Sequence, residues 1–465
     1  MPKDQRDPQM VAQNPLIAEQ LGYDRLGKVN NGGLFFLNGA GGTGRSVVYN
    51  AVCATLRGNG KIVLCVSSSP ISALLLRGGR TAHSMFKIPI EGLGDRSVCA
   101  IPKNSDRAEL MRATAAIIWD EVGAQHRLAI EAVDRTLRNL RSSDRPFGGI
   151  TVILGGDFCQ TLPVEPGGSV EGIVDATIQR SNLWATTEVL HLHKNKGLDR
   201  ADADAQRFAK WLLDIGEGRL SVDNDNIHLP DSWIVPNADA LLDSIYPGIN
   251  SAPAPPPNYF LNRLILAPRN ADVQELNEKI LDRMPGQARQ YIAADSIIQE
   301  AGANPTGAEF IPLESLRSIN APTFPPGELN LKVGCPVVLL KNLGPTRGLC
   351  IGTRLIVTRM GDRVMEVRLI GGDHDGELVL IPRLPMISPA STGLPFQFKR
   401  LQFPLRLAFT LNINEVQGQS VRHVGLDLRM PAVSYRQFFD ALSRVTCSRD
   451  IKVLLPDDAN NSLTL

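Results

Sequence analysis

From residue 34 onward short apolar runs recur at 34–37, 62–66, 117–119 and 150–154, separated by polar stretches long enough to hold helices. Runs of this length, bounded by turn residues, suit strands buried on both faces of a parallel sheet. The segment 47–56 after the first run is helix-compatible, so the chain opens as strand, turn, helix. A second α/β alternation begins with the apolar run 264–267 and a helix-compatible stretch over 271–284. Between the two, residues 197–258 are acidic, alanine-rich and proline-rich, ending in Pro253, Pro255, Pro256 and Pro257, a composition that stiffens a linker. Residues 331–385 carry closely spaced β-like runs at 337–340, 355–357, 364–370 and 378–381, consistent with a small β-barrel-like insertion. The parallel sheet is expected to resume at 405–409, and the run 451–455 to close the fold. Residues 1–33 are polar without sustained periodicity and read as an arm with a short helix near 16–21.

Composition narrows the class without choosing a function. The 465 residues are 43% hydrophobic and 21% charged, which reads as soluble and globular. No apolar run reaches the roughly 18 residues needed to cross a bilayer, and the polar start has no signal-peptide core, so an intracellular protein without a membrane partner is expected. Seven scattered cysteines without C-x-x-C spacing argue for reduced, buried thiols over a disulfide framework or a zinc site. A net charge of +1 neither supports nor excludes nucleic acid, because a local basic groove can hide in a balanced total.

Candidate chemistry sits where the apolar runs end. Gly39-Ala40-Gly41-Gly42-Thr43-Gly44-Arg45-Ser46 follows the first run and matches G-x-x-x-x-G-K-[ST] except that Arg45 stands at the lysine position. Such a loop wraps a polyphosphate in backbone N–H groups; a Gly-rich strand-to-helix turn is the plain alternative. Asp120-Glu121 ends the third run and reads as a magnesium-holding carboxylate followed by a water-activating one, or as an acidic helix start. Gln160 follows the fourth run, either as a γ-phosphate contact or as a polar loop residue.

Taken in chain order, Phe35-Phe36-Leu37-Asn38-Gly39 with its loop, Gly79-Arg80-Thr81-Ala82-His83-Ser84, Ile117-Ile118-Trp119-Asp120-Glu121, Leu154-Gly155-Gly156-Asp157-Phe158-Cys159-Gln160, Gln417-Gly418-Gln419 and Ala441-Leu442-Ser443-Arg444-Val445 form a specific pattern. With these motifs the sequence resembles the petite-integration-frequency family of superfamily-one DNA helicases, in particular the type encoded by Helitron transposons. The resemblance runs over about residues 34–456. It implies an α/β fold of two RecA-like P-loop domains with mainly parallel sheets. The expected layout is an arm at 1–33, where the adenine-reading region is truncated, and a first domain at 34–196 with a strand-separating insertion at about 85–113. A linker at 197–258 then leads to a second domain at 259–465 with an SH3-like, β-rich insertion at about 331–395.

The same resemblance implies an ATP-dependent helicase moving 5′ to 3′ on single-stranded DNA, acting on single-stranded and forked DNA as a monomer. It further implies nuclear residence, with the mitochondrion as the alternative, in repair, recombination, telomere maintenance or transposition. By position, Gly39, Gly41, Gly42, Thr43, Gly44 and Arg45 would cradle ATP, and Ser46 and Asp120 would hold Mg²⁺. Glu121 would be the catalytic base, Gln160 the γ-phosphate sensor and Arg444 an arginine finger from the second domain. DNA contacts would come from Thr81, His83, Ser84, Gln417, Gly418 and Gln419, with Phe86 as a stacking ring. Taken alone, His83 and Phe86 read equally as core residues.

Four departures from the family pattern accompany these matches. The adenine-reading helix before the loop is missing, Arg45 replaces lysine, Glu415-Val416 stands where the family has lysine and serine, and Val122-Gly123-Ala124 follows Asp120-Glu121. They favour a weakened ATPase, and at the limit a catalytically impaired nucleic-acid-binding protein on a helicase scaffold.

Overall fold

The computed structural model describes residues 32–464 except 91, 161, 164–168, 194–201, 217–218, 220–225, 252–254, 299–312, 320–323, 345–346, 373, 390–395, 417–420, 431–434, 446 and 457–461. The chain divides into two compact units, one of residues 1–220 with 435–446 and the other of residues 221–434 with 447–465. The expected arm with its short helix at 16–21 lies outside the described residues, as do Gln417, Gly418 and Gln419.

The first unit is built on a six-stranded sheet. Its strands are β1 (Leu34–Gly39), β2 (Ile62–Ser67), β3 (Arg80–Thr81), β4 (Thr114–Asp120), β5 (Thr151–Gly156) and β6 (Thr187–Leu192), in the order β3-β2-β4-β5-β1-β6. Every pairing is parallel. The central strands β4 and β5 are buried almost throughout, which is why they read as continuous apolar runs without alternation. Helices cover both faces. Val48, Tyr49, Val52 and Cys53 of α1 (Arg45–Gly58) pack with Phe35, Cys65 and Ile118, and Ile130, Val133 and Leu137 of α2 (Arg127–Arg141) pack with Phe36, Ile117 and Trp119 on the other side. This mixed α/β architecture, a parallel sheet between helices, is the expected one.

The second unit carries a four-stranded parallel sheet in the order Thr410–Asn412, Arg263–Ala267, His423–Asp427, Ile451–Leu454. Between its first two strands in the chain lies a five-stranded antiparallel sheet of Pro336–Leu339, Arg354–Met360, Val364–Leu369, Leu378–Pro382 and Leu405–Leu407.

Three expectations need correction. The stretch 405–409 does not resume the parallel sheet: Leu405–Leu407 pairs antiparallel with Val337, Val338 and Leu339, and the parallel strand is Thr410–Asn412. An apolar run shows burial but not the strand it pairs with. The region 197–258 is also more than a linker, since α3 (Ala203–Gly216) buries Phe208, Leu212 and Ile215, and the helix Ala238–Ile245 buries Leu241, Leu242 and Ile245. Both helices have apolar residues at helical spacing, which the acidic and proline-rich composition of the stretch masks. Finally, α4 (Tyr435–Leu442) and Arg444 after it group with the first unit; Phe439 of α4 lies against Gly216 at the end of α3, so Arg444 does not come from the second.

Candidate active site

The loop after β1, Asp120 and Glu121 at the end of β4, and Asp157 to Gln160 after β5 all lie at the carboxyl edge of the sheet, because β1, β5 and β4 are neighbours running in the same direction. Side chains far apart in the chain are thereby brought together. The turn from β1 into α1 depends on Gly44, whose φ of +94° is open to glycine and strained for other residues. Thr43 is buried and spends its hydroxyl on the turn, donating to the Ala40 carbonyl at 2.7 Å. No side chain caps the N-terminus of α1 and its first turn holds no acid of its own.

Arg45, in the first turn of α1, turns its guanidinium onto the two carboxylates. Nη2 donates to Glu121 Oε1 at 2.7 Å, while Nη1 stands 3.7 Å from Asp120 Oδ1. All three side chains are buried, with 10%, 5% and 7% of the surface of Arg45, Asp120 and Glu121 exposed. Burial works against the charge on Arg45, but Glu121 and Asp120 outweigh it and push its pKa up. The Glu121 carboxyl goes the other way from an ordinary ion-pair partner: burial raises its pKa, against the lowering by Arg45, and Asp120 adds to the rise. Arg444 and Asp440 also act on Glu121, one lowering and one raising. Glu121 has a φ of +55°, a strained backbone for a non-glycine residue.

Gln160 is buried and donates from Nε2 to Asp157 Oδ2 at 3.2 Å, and Asp157 Oδ1 accepts from the Cys159 amide at 3.0 Å. Arg444 donates to the Asp440 carbonyl at 2.9 Å and to the Ser443 hydroxyl at 2.7 Å. Ser46 follows Arg45 in the first turn of α1. The donor set is of the right kind for a nucleotide and a hard divalent cation. Arg45 Nη1 is buried and without a hydrogen-bond partner, suited to an anionic oxygen, and the Ser46 hydroxyl with the Asp120 carboxylate offers the oxygen ligands Mg²⁺ prefers. Among the described residues no three His, Cys, Asp or Glu side chains converge as a metal cluster, and no helix is long and apolar enough to cross a membrane.

The expected DNA contacts fare unevenly. Thr81 caps the short helix Ala82–Phe86, its hydroxyl accepting from the Ser84 amide at 3.3 Å, and the Ser84 carbonyl is bound by Arg107. His83 is half-buried, and burial lowers its pKa. Phe86 is a core residue and not a stacking platform: it is 0% exposed, with its ring 5.5 Å from that of Trp119, so no face is left for a base. Glu415 pairs with Arg406 in the second unit. Sequence reasoning passed over Tyr49 and quoted Gly155 only within a motif, although Tyr49 stands four residues after Arg45 and thus on the same face of α1.

A glycine loop feeding an uncapped helix, paired carboxylates at the end of the next strand but one and a parallel sheet beneath them define a P-loop protein of RecA-like build. Comparison with known proteins narrows this. The family model described as PIF1-like helicase matches residues 23–226, and that described as the 2B domain of DNA helicase Pif1 matches residues 314–360. The ATP-dependent DNA helicase PIF1 of Danio rerio is 25% identical over 450 residues, covering 94% of this chain and 61% of the relative. The ATP-dependent DNA helicase RRM3 of Saccharomyces cerevisiae is 23% identical over 500 residues, covering 90% of this chain and 62% of the relative. This chain therefore spans about three fifths of the length of the curated relatives it matches. Among solved structures, Bacteroides Pif1 in complex with ADP-AlF3 and single-stranded DNA superposes with a TM-score of 0.67 at 22% identity, over 94% of this chain and 91% of that one. Pif1 helicase from Candida albicans does so with a TM-score of 0.64 at 24% identity, over 94% of both chains. The chain is thus similar to the PIF1-like helicase family over residues 23–226 and to the Pif1 2B domain over residues 314–360.

Proposed function

We propose that this chain is an ATP-dependent DNA helicase that couples ATP hydrolysis to 5′-to-3′ movement on single-stranded DNA and to duplex unwinding. The observation that carries the reading is the convergence of Arg45, Asp120 and Glu121 at the mouth of the glycine loop, within the segment that matches the PIF1-like helicase model. Gly39, Gly41, Gly42, Thr43, Gly44 and Arg45 would hold the phosphates, and Ser46 and Asp120 would hold Mg²⁺. When bound, the metal ion neutralises charge that develops on the phosphoryl group. Glu121 orients and deprotonates the attacking water, a role that its carboxylate can take only once Arg45 releases it. Gln160 reports the γ-phosphate, and Arg444 adds positive charge near Glu121. Thr81, His83, Ser84, Gln417, Gly418 and Gln419 remain the proposed contacts to single-stranded and forked DNA. Action as a monomer, nuclear or mitochondrial work in repair, recombination, telomere maintenance or transposition, and a Helitron origin belong to the same reading.

One observation favours a second reading, that of an impaired ATPase which retains binding to nucleic acid. Arg45 is a bulkier, planar cation already bonded to the proposed base, where the family has a lysine. Steady-state ATP hydrolysis with and without single-stranded DNA separates the two, on the natural chain, Arg45→Lys and Glu121→Gln. DNA-stimulated turnover that Glu121→Gln abolishes supports the helicase. An inert natural chain revived by Arg45→Lys supports the impaired ATPase, and inertness of all three defeats the motor reading.

A further inference from the structure

Two side chains one turn apart on α1 meet the two carboxylates at the end of β4. Arg45 takes Glu121, and Tyr49 takes Asp120, its hydroxyl donating to Oδ1 at 3.1 Å. Tyr49 is fully buried. The sheet is shaped to admit it: a Cβ at Gly155 on β5 would lie 1.5 Å from the phenolic oxygen, 2.8 Å from Cζ and 3.2 Å from Asp120 Oδ1. Only a residue without a side chain at 155 lets the phenol reach the carboxylate.

The consequence concerns Arg45. Its Nη1 is buried, has no hydrogen-bond partner and stands 3.7 Å from the same Asp120 oxygen that Tyr49 serves, about half an ångström or more beyond a hydrogen bond. A buried carboxylate oxygen that lost its donor would draw in the nearest one available, and that donor is Nη1. The guanidinium would then bridge both carboxylates as a fork and present no free N–H to a ligand. We propose that Tyr49 is a positioning residue for phosphate recognition: by satisfying Asp120 Oδ1 it keeps Arg45 from closing on that carboxylate and reserves Nη1 for a phosphate oxygen. The proposal rests on the nucleotide-binding reading above and explains how an arginine can serve at a position suited to lysine. A lysine carries its three donors on one nitrogen and has no second nitrogen to set apart, whereas arginine can hold a carboxylate with one nitrogen and offer another to phosphate, provided something else holds the second carboxylate.

The test is ATP binding by calorimetry on the full chain, arranged as a double-mutant cycle of Tyr49→Phe and Arg45→Lys, with inorganic tripolyphosphate as a competitor and circular dichroism to check folding. Tyr49→Phe keeps the ring and removes only the hydroxyl. In the Arg45 background it should weaken ATP binding by roughly tenfold, the value of one hydrogen bond to a charged group, and weaken tripolyphosphate equally. In the Arg45→Lys background it should change neither. Unaltered affinity in Tyr49→Phe, or the same loss with lysine at 45, makes the hydroxyl a packing feature and overturns the proposal. Absence of ATP binding by the natural chain overturns the nucleotide reading itself and the positioning role with it.

Discussion

Removing the carboxylate of Asp295 should loosen the second unit far more than removing a comparable surface carboxylate. Arg400 is 0% exposed and Asp295 2%, and the two are joined as a fork, Nε to Oδ1 at 2.9 Å and Nη2 to Oδ2 at 2.8 Å. The remaining N–H groups reach the carbonyls of Ile319 at 3.0 Å, Pro325 at 2.9 Å and Leu316, so all five donors of the guanidinium are used. Phe324 and Phe398 stack against the cation at 5.0 and 5.3 Å. One side chain thus ties the strands Ala294–Ile297 and Phe398–Gln402 to the helix Leu313–Arg317. Asp295→Ala leaves a buried cation with two donors unpaired and no countercharge, which costs about 3–5 kcal/mol. The readout is native-state hydrogen exchange at the amides of these two strands, a local measurement that does not require the whole chain to unfold in one step. Protection should fall by about a hundredfold to several thousandfold. Asp362→Ala is the control. Asp362 pairs with Arg289 but is 86% exposed, and its loss should move protection less than about fivefold. If the two variants behave alike, burial does not govern this ion pair and the reasoning fails.

Other outcomes follow from the first unit. Gly155→Ala should lower the melting temperature and expel the Tyr49 ring, costing about 1–3 kcal/mol, and adding Tyr49→Leu should recover part of the loss because the clash is with the phenol end of the ring. If Gly155→Ala melts like the natural chain, the close packing of Tyr49 against β5 is wrong. Phe86→Ala should cost about 3–5 kcal/mol of stability, since the ring is fully buried, while the folded fraction binds single-stranded DNA as the natural chain does. A selective loss of DNA affinity at unchanged stability would return Phe86 to the DNA interface.

Parallel strands buried on both faces announce themselves as apolar runs, and β1, β2, β4 and β5 were legible for that reason, as was the loop that turns β1 into α1. Gly39 to Ser46 and Asp120-Glu121 were visible because a phosphate-binding turn and a strand-end carboxylate pair need particular residue types at fixed local spacing. Pairing is not local. Nothing within 405–407 distinguishes a strand that lies antiparallel against 337–339 from one that continues the parallel sheet; the partner decides. The strand His423–Asp427 carries a histidine, a glycine and an aspartate and shows no apolar run, yet it is one of the two inner strands of its sheet. The acidic and proline-rich text between 197 and 258 concealed two packed helices for a related reason, because composition averages over faces that burial separates. The same division holds in the site. The sequence by itself determined that a cation, two carboxylates and a glycine loop would sit at strand ends. Only the tertiary structure decided that Arg45 would lean on Glu121, that Tyr49 would hold Asp120 through the gap left by Gly155, and that Phe86 would be core, because each depends on which strands lie side by side and on the space left between them.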